Sequence, residues 1–313
     1  MTLDRRALLE LSASLLGVAA VPAAGASPLP APPAAPIAGA ASTRRRRSYV
    51  DARFGQVHVT TTAPLKRSAA HQPPLCCLPF SPRSGRDFDT LAALLGTDRR
   101  VHCPDVPGFG GSDAPPAPPP LEDYAAALLE ALDGLEPARR GPIDLFGQHT
   151  GAALCIEMAI QQPRRIRRLV LVGVPLFTDA EREALRAEFA RPRPYFEDPE
   201  FLAKAWRRDL AALDQGLDRE AMLLRFTEMM RAGTRSWWGF NAVFNYPMRE
   251  KLPRVRVPAL VVAFNERLGA ASREAATLLP QGALHDAADL PGHALDVAAP
   301  RIAAVAREFY GRA

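Results

Sequence analysis

Short, wholly apolar runs alternate with amphipathic stretches over most of this chain, and that rhythm restricts the available folds more than any other feature. Leu75–Leu78, Val101–Pro104, Ile143–Phe146, Arg168–Val174 and Pro258–Phe264 are brief and largely apolar, as strands covered on both faces are. Arg83–Leu95, Leu121–Leu135 and Gly151–Gln161 instead repeat apolar residues three and four apart, the spacing of helices with one covered face. A mostly parallel sheet flanked by helices satisfies both patterns and places the chain in the α/β class. Tyr49–Phe54 and Gln56–Thr60, alternating at period two around Gly55, predict a hairpin. A helix over Ser272–Leu279, a strand over Leu284–Ala288 and a helix over Ile302–Tyr310 carry the alternation to the C-terminal end.

The alternation is interrupted once. From Asp179 to Arg235 the pattern is almost wholly helical, and no strand returns until Pro258. Such an insertion predicts a helical lid over about residues 176–250, seated above the sheet. Trp237, Trp238 and Phe240 are candidates to line its pocket side.

Of the 39 basic and 34 acidic residues, six arginines and two acids fall within residues 1–47. The rest of the chain therefore carries 33 against 32 and is close to neutral, which argues against a nucleic-acid-binding face. Residues 1–26 join Arg5-Arg6 to an apolar stretch ending Ala24-Gly25-Ala26, a pattern resembling a twin-arginine export signal and predicting a periplasmic protein. Residues 27–47, rich in Pro and Ala and then in Arg, read as a linker, with Arg44–Arg47 a solvated charge run. The folded domain is expected at 48–313. No apolar run reaches the roughly 20 residues of a membrane span. The four cysteines lie in apolar runs without zinc spacing and read as small buried hydrophobes. Nothing calls for a metal, nucleotide or flavin, and no oligomeric state is indicated.

In open parallel sheets ligands bind at the carboxyl ends of the strands. There the segment Phe146-Gly147-Gln148-His149-Thr150-Gly151 passes from strand to helix, with glycines spaced for a cramped turn. Pro104-Asp105-Val106-Pro107-Gly108-Phe109-Gly110-Gly111-Ser112-Asp113 follows one strand, Leu78-Pro79-Phe80-Ser81-Pro82 another, and Pro291-Gly292-His293 the last. Together these segments resemble the α/β-hydrolase superfamily, in its lid-bearing esterase and epoxide-hydrolase branch. The resemblance runs from about Ser48 to Ala313. It implies that Gly147-Gln148-His149-Thr150-Gly151 is the nucleophile elbow G-x-S-x-G with His149 at the nucleophile position. It also implies backbone N–H donors from Ser81 and Thr150 for an oxyanion, His293 as the catalytic histidine, and Glu266 as the acid orienting it. Asp179 is a second candidate acid. Asp105 shapes the glycine-rich turn.

No serine occurs between Ser112 and Ser236, so no neighbour can replace His149 by a change of register. Three mechanisms stay open. His149 could attack an activated ester or thioester directly. His149 and His293 could share acid–base work without a cofactor, in hydrolysis or in other chemistry. The elbow could also be inert, leaving a small-ligand-binding pseudo-hydrolase. The resulting expectation is a hydrolase of a small ester or thioester acting through His149, His293 and Glu266.

Overall fold

The computed structural model describes residues 42–312 apart from 67, 69, 136–140 and 196. Eight strands form one sheet: β1 (Thr43–Ala52), β2 (Gly55–Pro64), β3 (Leu75–Leu78), β4 (Val101–Pro104), β5 (Ile143–Gln148), β6 (Ile166–Val172), β7 (Ala259–Asn265) and β8 (Gly282–Pro291). Their order across the sheet is β1-β2-β4-β3-β5-β6-β7-β8. β2 runs antiparallel to both neighbours and every other pair is parallel.

The helices between strands are α1 (Asp89–Leu95), α2 (Leu121–Leu135) and α3 (Thr150–Gln161). Five more, α4 (Asp179–Phe189), α5 (Pro199–Ala211), α6 (Arg219–Ala232), α7 (Trp238–Asn245) and α8 (Met248–Lys251), lie between β6 and β7. After β7 come α9 (Gly269–Leu278), α10 (Ala294–Val297) and α11 (Ala299–Gly311). Consecutive residues of a strand point to opposite faces. Hence Cys76 and Leu78 of β3 and Leu169 and Leu171 of β6 pack with α2, α3 and α9. Leu75, Cys77, Val170 and Val172 pack on the other side with α1, α10 and α11. Both faces are covered, which is why these strands are apolar at every position rather than at every second one. Each fully buried Leu or Val contributes roughly 1.5–3 kcal/mol. All four cysteines are buried and unbridged within these layers, and burial pushes the Cys76, Cys77 and Cys155 thiols up, away from the reactive thiolate.

The inserted helices begin at side-chain caps written into the sequence. Thr178 and Glu181 form a reciprocal capping box at α4, and Asp198 and Asp218 accept from the first turns of α5 and α6. Helix α7 is the apolar member, and its Phe240 and Phe244 are buried in the main core. The insertion is tied to the body by the Arg225–Asp296 ion pair and by His293, whose Nε2–H donates to the Gln215 carbonyl at 3.1 Å.

Several boundaries differ from expectation. β1 starts at Thr43, so Arg44–Arg47 are strand residues rather than linker, paired by backbone with Thr60–Ala63. Their side chains are exposed on an edge strand, so pairing the backbone buries no charge. β8 runs past the expected Leu284–Ala288 in both directions, because its register with β7 continues from Gly282 to Pro291. The proposed export signal at residues 1–26 and the linker up to residue 41 lie outside the described residues. Among the described residues no helix is long and apolar enough to cross a membrane.

Candidate active site

Strand β5 ends at Gln148 and α3 begins at Thr150, leaving one residue to reverse the chain. That residue is His149, with φ 51° and ψ −109°, the only non-glycine positive φ among the described residues. Such backbone costs of order 1–3 kcal/mol and persists where its surroundings over-determine it. The flanking glycines explain how. A Cβ on Gly147 would lie 2.5 Å from the Gly151 carbonyl carbon and 2.6 Å from the Ala152 nitrogen. One on Gly151 would strike the Leu78 carbonyl oxygen and stand 3.0 Å from that of Pro79. The turn and the Leu78–Pro82 loop crossing it are therefore in backbone contact, and only glycine fits at either place.

The side chain of His149 projects toward the loop after β7, where its Nε2–H donates to Glu266 Oε2 at 2.9 Å. A carboxylate only accepts, so the proton in this bond is on Nε2, and in the neutral ring the lone pair is left on Nδ1. Glu266 is nearly buried, with 4% of its side chain exposed, and its second oxygen, Oε1, has no hydrogen-bond partner among the described residues. Gly173, at φ 63°, makes room for the pair: a Cβ there would overlap the His149 ring and sit 2.7 Å from Glu266 Oε1. The loop is pinned from behind by Ser272, whose hydroxyl accepts from the Val174 N–H at 2.9 Å.

Phe80 closes the opposite side, edge-on to the His149 ring with centroids 4.9 Å apart. The N–H groups of Ser81 and Thr150, on the crossing loop and at the start of α3, donate to no acceptor among the described residues. Ser81 is buried, and its hydroxyl is unpartnered against Gly239 of α7.

His293 stands apart from this pair. Glu266 contacts the neighbouring Gly292, where a Cβ would be 3.0 Å from Oε2, yet its hydrogen bond goes to His149. His293 turns to the Gln215 carbonyl of the insertion instead, and burial lowers its pKa from the ordinary 6.5, favouring the neutral ring. The expectation that Glu266 orients His293 is thus corrected: an imidazole at the elbow reaches the acid that a serine could not. Asp179 is also corrected. It begins α4 with 95% of its side chain exposed and pairs with Arg182.

Asp105 holds the glycine-rich turn, accepting from Gly85 at 2.8 Å, Gly111 at 2.7 Å and His58 at 2.9 Å. Phe240 is buried beside Phe80 at 5.9 Å, whereas Trp238 packs its ring near Gly108 and Trp237 is half-buried ahead of α7. A cleft of about 380 Å³ lined by Pro175, Phe177, Arg182, Tyr246 and Arg249 lies between α4 and the α7–α8 turn, and none of the residues of the pair line it. Among the described residues no three His, Cys, Asp or Glu side chains converge as metal ligands would.

A carboxylate-bonded imidazole on a strand–turn–helix elbow, beside two N–H groups with no acceptor among the described residues, sits on an eight-stranded sheet with an inserted set of helices. Residues 73–261 match the family described as alpha/beta hydrolase fold. The chain belongs to the α/β-hydrolase family. Within it, the chain is 41% identical over 88 residues to a 2-hydroxy-6-oxo-2,4-heptadienoate hydrolase of Pseudomonas putida, covering 28% of this chain and 31% of that one. It is 31% identical over 158 residues to a 2-hydroxymuconate semialdehyde hydrolase of a Pseudomonas species, covering 49% and 51%. The matches thus span about half or less of these relatives. Among solved α/β-hydrolase structures, a hydrolase from Pseudomonas aeruginosa superposes with TM-score 0.68 at 21% identity, covering 85% of this chain and 98% of that one. An enol-lactonase from Burkholderia xenovorans gives TM-score 0.63 at 19% identity, covering 85% and 100%.

Proposed function

We propose that this α/β-hydrolase cleaves a small ester or thioester with His149 as the reactive base, oriented by Glu266. The observation that carries the reading is the 2.9 Å bond from His149 Nε2 to Glu266 Oε2, which leaves the Nδ1 lone pair available on the strained apex of the elbow. The names of the relatives, hydrolases and an enol-lactonase among them, support hydrolysis as the reaction class.

Nδ1 lies beside Cβ, which crowds direct attack on a carbonyl carbon but not acceptance of a proton from water. In the proposed step a water oxygen bonds to the carbonyl carbon while Nδ1 takes its proton. The imidazolium so formed is stabilised by the Glu266 carboxylate through Nε2–H. The carbonyl electron pair moves to oxygen, where the N–H groups of Ser81 and Thr150 receive it. On collapse the imidazolium returns its proton to the departing alcohol or thiol. His293 serves here as a tie between body and insertion.

The test is hydrolysis of short p-nitrophenyl esters and acyl thioesters by wild type, His149→Ala and His293→Ala. Turnover lost in His149→Ala, retained in His293→Ala and without a pre-steady-state burst is expected. A stoichiometric burst would replace the base mechanism by an acyl-imidazole, and full activity in His149→Ala would end the reading. Export through residues 1–26 is a separate proposal, resting on their sequence alone.

A further inference from the structure

Arg193 follows α4 and is the insertion's anomalous cation. Its guanidinium lies over the Phe189 ring at 5.0 Å and the Phe240 ring at 5.3 Å. Phe240 is 5.9 Å from Phe80, whose edge meets His149 at 4.9 Å, so a continuous row of rings leads from Arg193 to the reactive imidazole. Other shielded arginines of the insertion have an acid in hand: Arg208 with Asp209 at 2.9 Å, and Arg225 with Asp296. Arg193 forms no ion pair and donates no side-chain hydrogen bond among the described residues. Glu188 and Tyr195 act on it only through space, and Glu188 is shared with Arg191 and Arg267. Burial draws its pKa down to about 10, which still leaves it charged at neutral pH.

A shielded guanidinium with no acid partner is costly, and two ring faces offset only part of that cost. The two rings flank the guanidinium and take up none of its N–H donors, so these stay available to a ligand. A planar fork of parallel N–H donors matches a carboxylate, which can accept two of them at once. We propose that Arg193 binds a carboxylate carried by the substrate, so that the esters or thioesters hydrolysed at His149 are those of small acids bearing a second, free carboxylate. The inference rests on the hydrolase reading for its reaction and on Arg193 alone for its anion.

The experiment pairs p-nitrophenyl hemiglutarate with neutral p-nitrophenyl valerate in wild type, Arg193→Met and Arg193→Lys. It adds calorimetric titration of glutarate into the same proteins and into His149→Ala. Wild type is expected to prefer the carboxylated ester in kcat/KM by roughly 10- to 100-fold, the range of a charge-assisted hydrogen bond. Arg193→Met should collapse that ratio mainly through KM, and Arg193→Lys should restore part of it. Glutarate binding should survive in His149→Ala and disappear in Arg193→Met. If no ester is cleaved but glutarate binding depends on Arg193, the hydrolytic chemistry fails and the anion site stands. A wild-type ratio near one, a ratio unchanged in Arg193→Met, or glutarate binding indifferent to Arg193 overturns the proposal.

Discussion

Replacing Asp87 with Asn should stabilise this protein at neutral pH and do nothing at acid pH. Asp87 lies in the short 3₁₀ turn Gly85–Phe88 before α1, with 8% of its side chain exposed. Its Oδ2 has no hydrogen-bond partner among the described residues, and Arg83 stands 3.6 Å away, too far for a hydrogen bond. Burial pushes its carboxyl from 3.8 up to about 6, against the charges of Arg83 and Arg225, which favour the carboxylate, and with those of Asp296 and Glu228, which disfavour it further. Two pH units at 1.36 kcal/mol each make ionisation in the fold cost about 3 kcal/mol more than in the unfolded chain. The sign follows from proton uptake. Because the folded pKa is the higher one, the native state holds its proton longer, so the penalty is absent below about pH 4, grows to about pH 6 and is complete above. Asn removes the ionisation and keeps the shape. The variant should therefore gain about 3 kcal/mol at pH 7.5, on the order of 5–10 °C in Tm for a domain of this size, and nothing near pH 4. Urea and thermal melts of both proteins at the two pH values measure it. Loss of stability at pH 7.5, or the same difference at both pH values, would refute the account of Asp87 as an under-compensated buried charge.

Other outcomes follow from the same geometry. Gly173→Ala should lower stability by about 1–2 kcal/mol from the positive φ alone and abolish turnover, because its methyl group would occupy the His149 ring position; melting and ester assays read the two effects separately. Glu266→Gln retains an acceptor for Nε2–H but not the charge that stabilises an imidazolium, so kcat should fall by roughly 10²–10⁴ with KM little changed, as steady-state kinetics will show. His293→Phe should remove a pH dependence of stability: with its folded pKa depressed by burial, His293 costs stability as pH falls below about 6.5, and the difference between variant and wild-type melts should grow over that range. Fractionation of cells expressing the full chain should place it in the periplasm, and replacement of Arg5 and Arg6 by Lys should retain it in the cytoplasm.

What could be read from the amino acids and what could not divide along physical lines. β3, β4 and α2 fall at Leu75–Leu78, Val101–Pro104 and Leu121–Leu135 because burial on two faces, or on one face of a helix, leaves a periodic trace in the sequence itself. The start of the first strand escaped for the opposite reason. Arg44–Arg47 look like a solvated run, and they are solvated, but strand pairing engages the backbone and leaves side chains free to stay in water. The elbow was equally legible, since Gly147 and Gly151 are dictated by backbone contacts that nothing larger would permit. Which histidine the acid holds was not. His149 and Glu266 are 117 positions apart, and Glu266 also touches Gly292, so position in the chain alone leaves it beside either ring. The outcome turns on side-chain length and on free space. An imidazole extends far enough from the apex to meet the carboxylate, the missing side chain of Gly173 admits it, and His293 donates to the Gln215 carbonyl. A serine or alanine at position 149 would vacate that space and leave Glu266 without its present partner. The partner that Glu266 holds is thus set by side-chain length and free space at the elbow, neither of which is written in the spacing of residues along the chain.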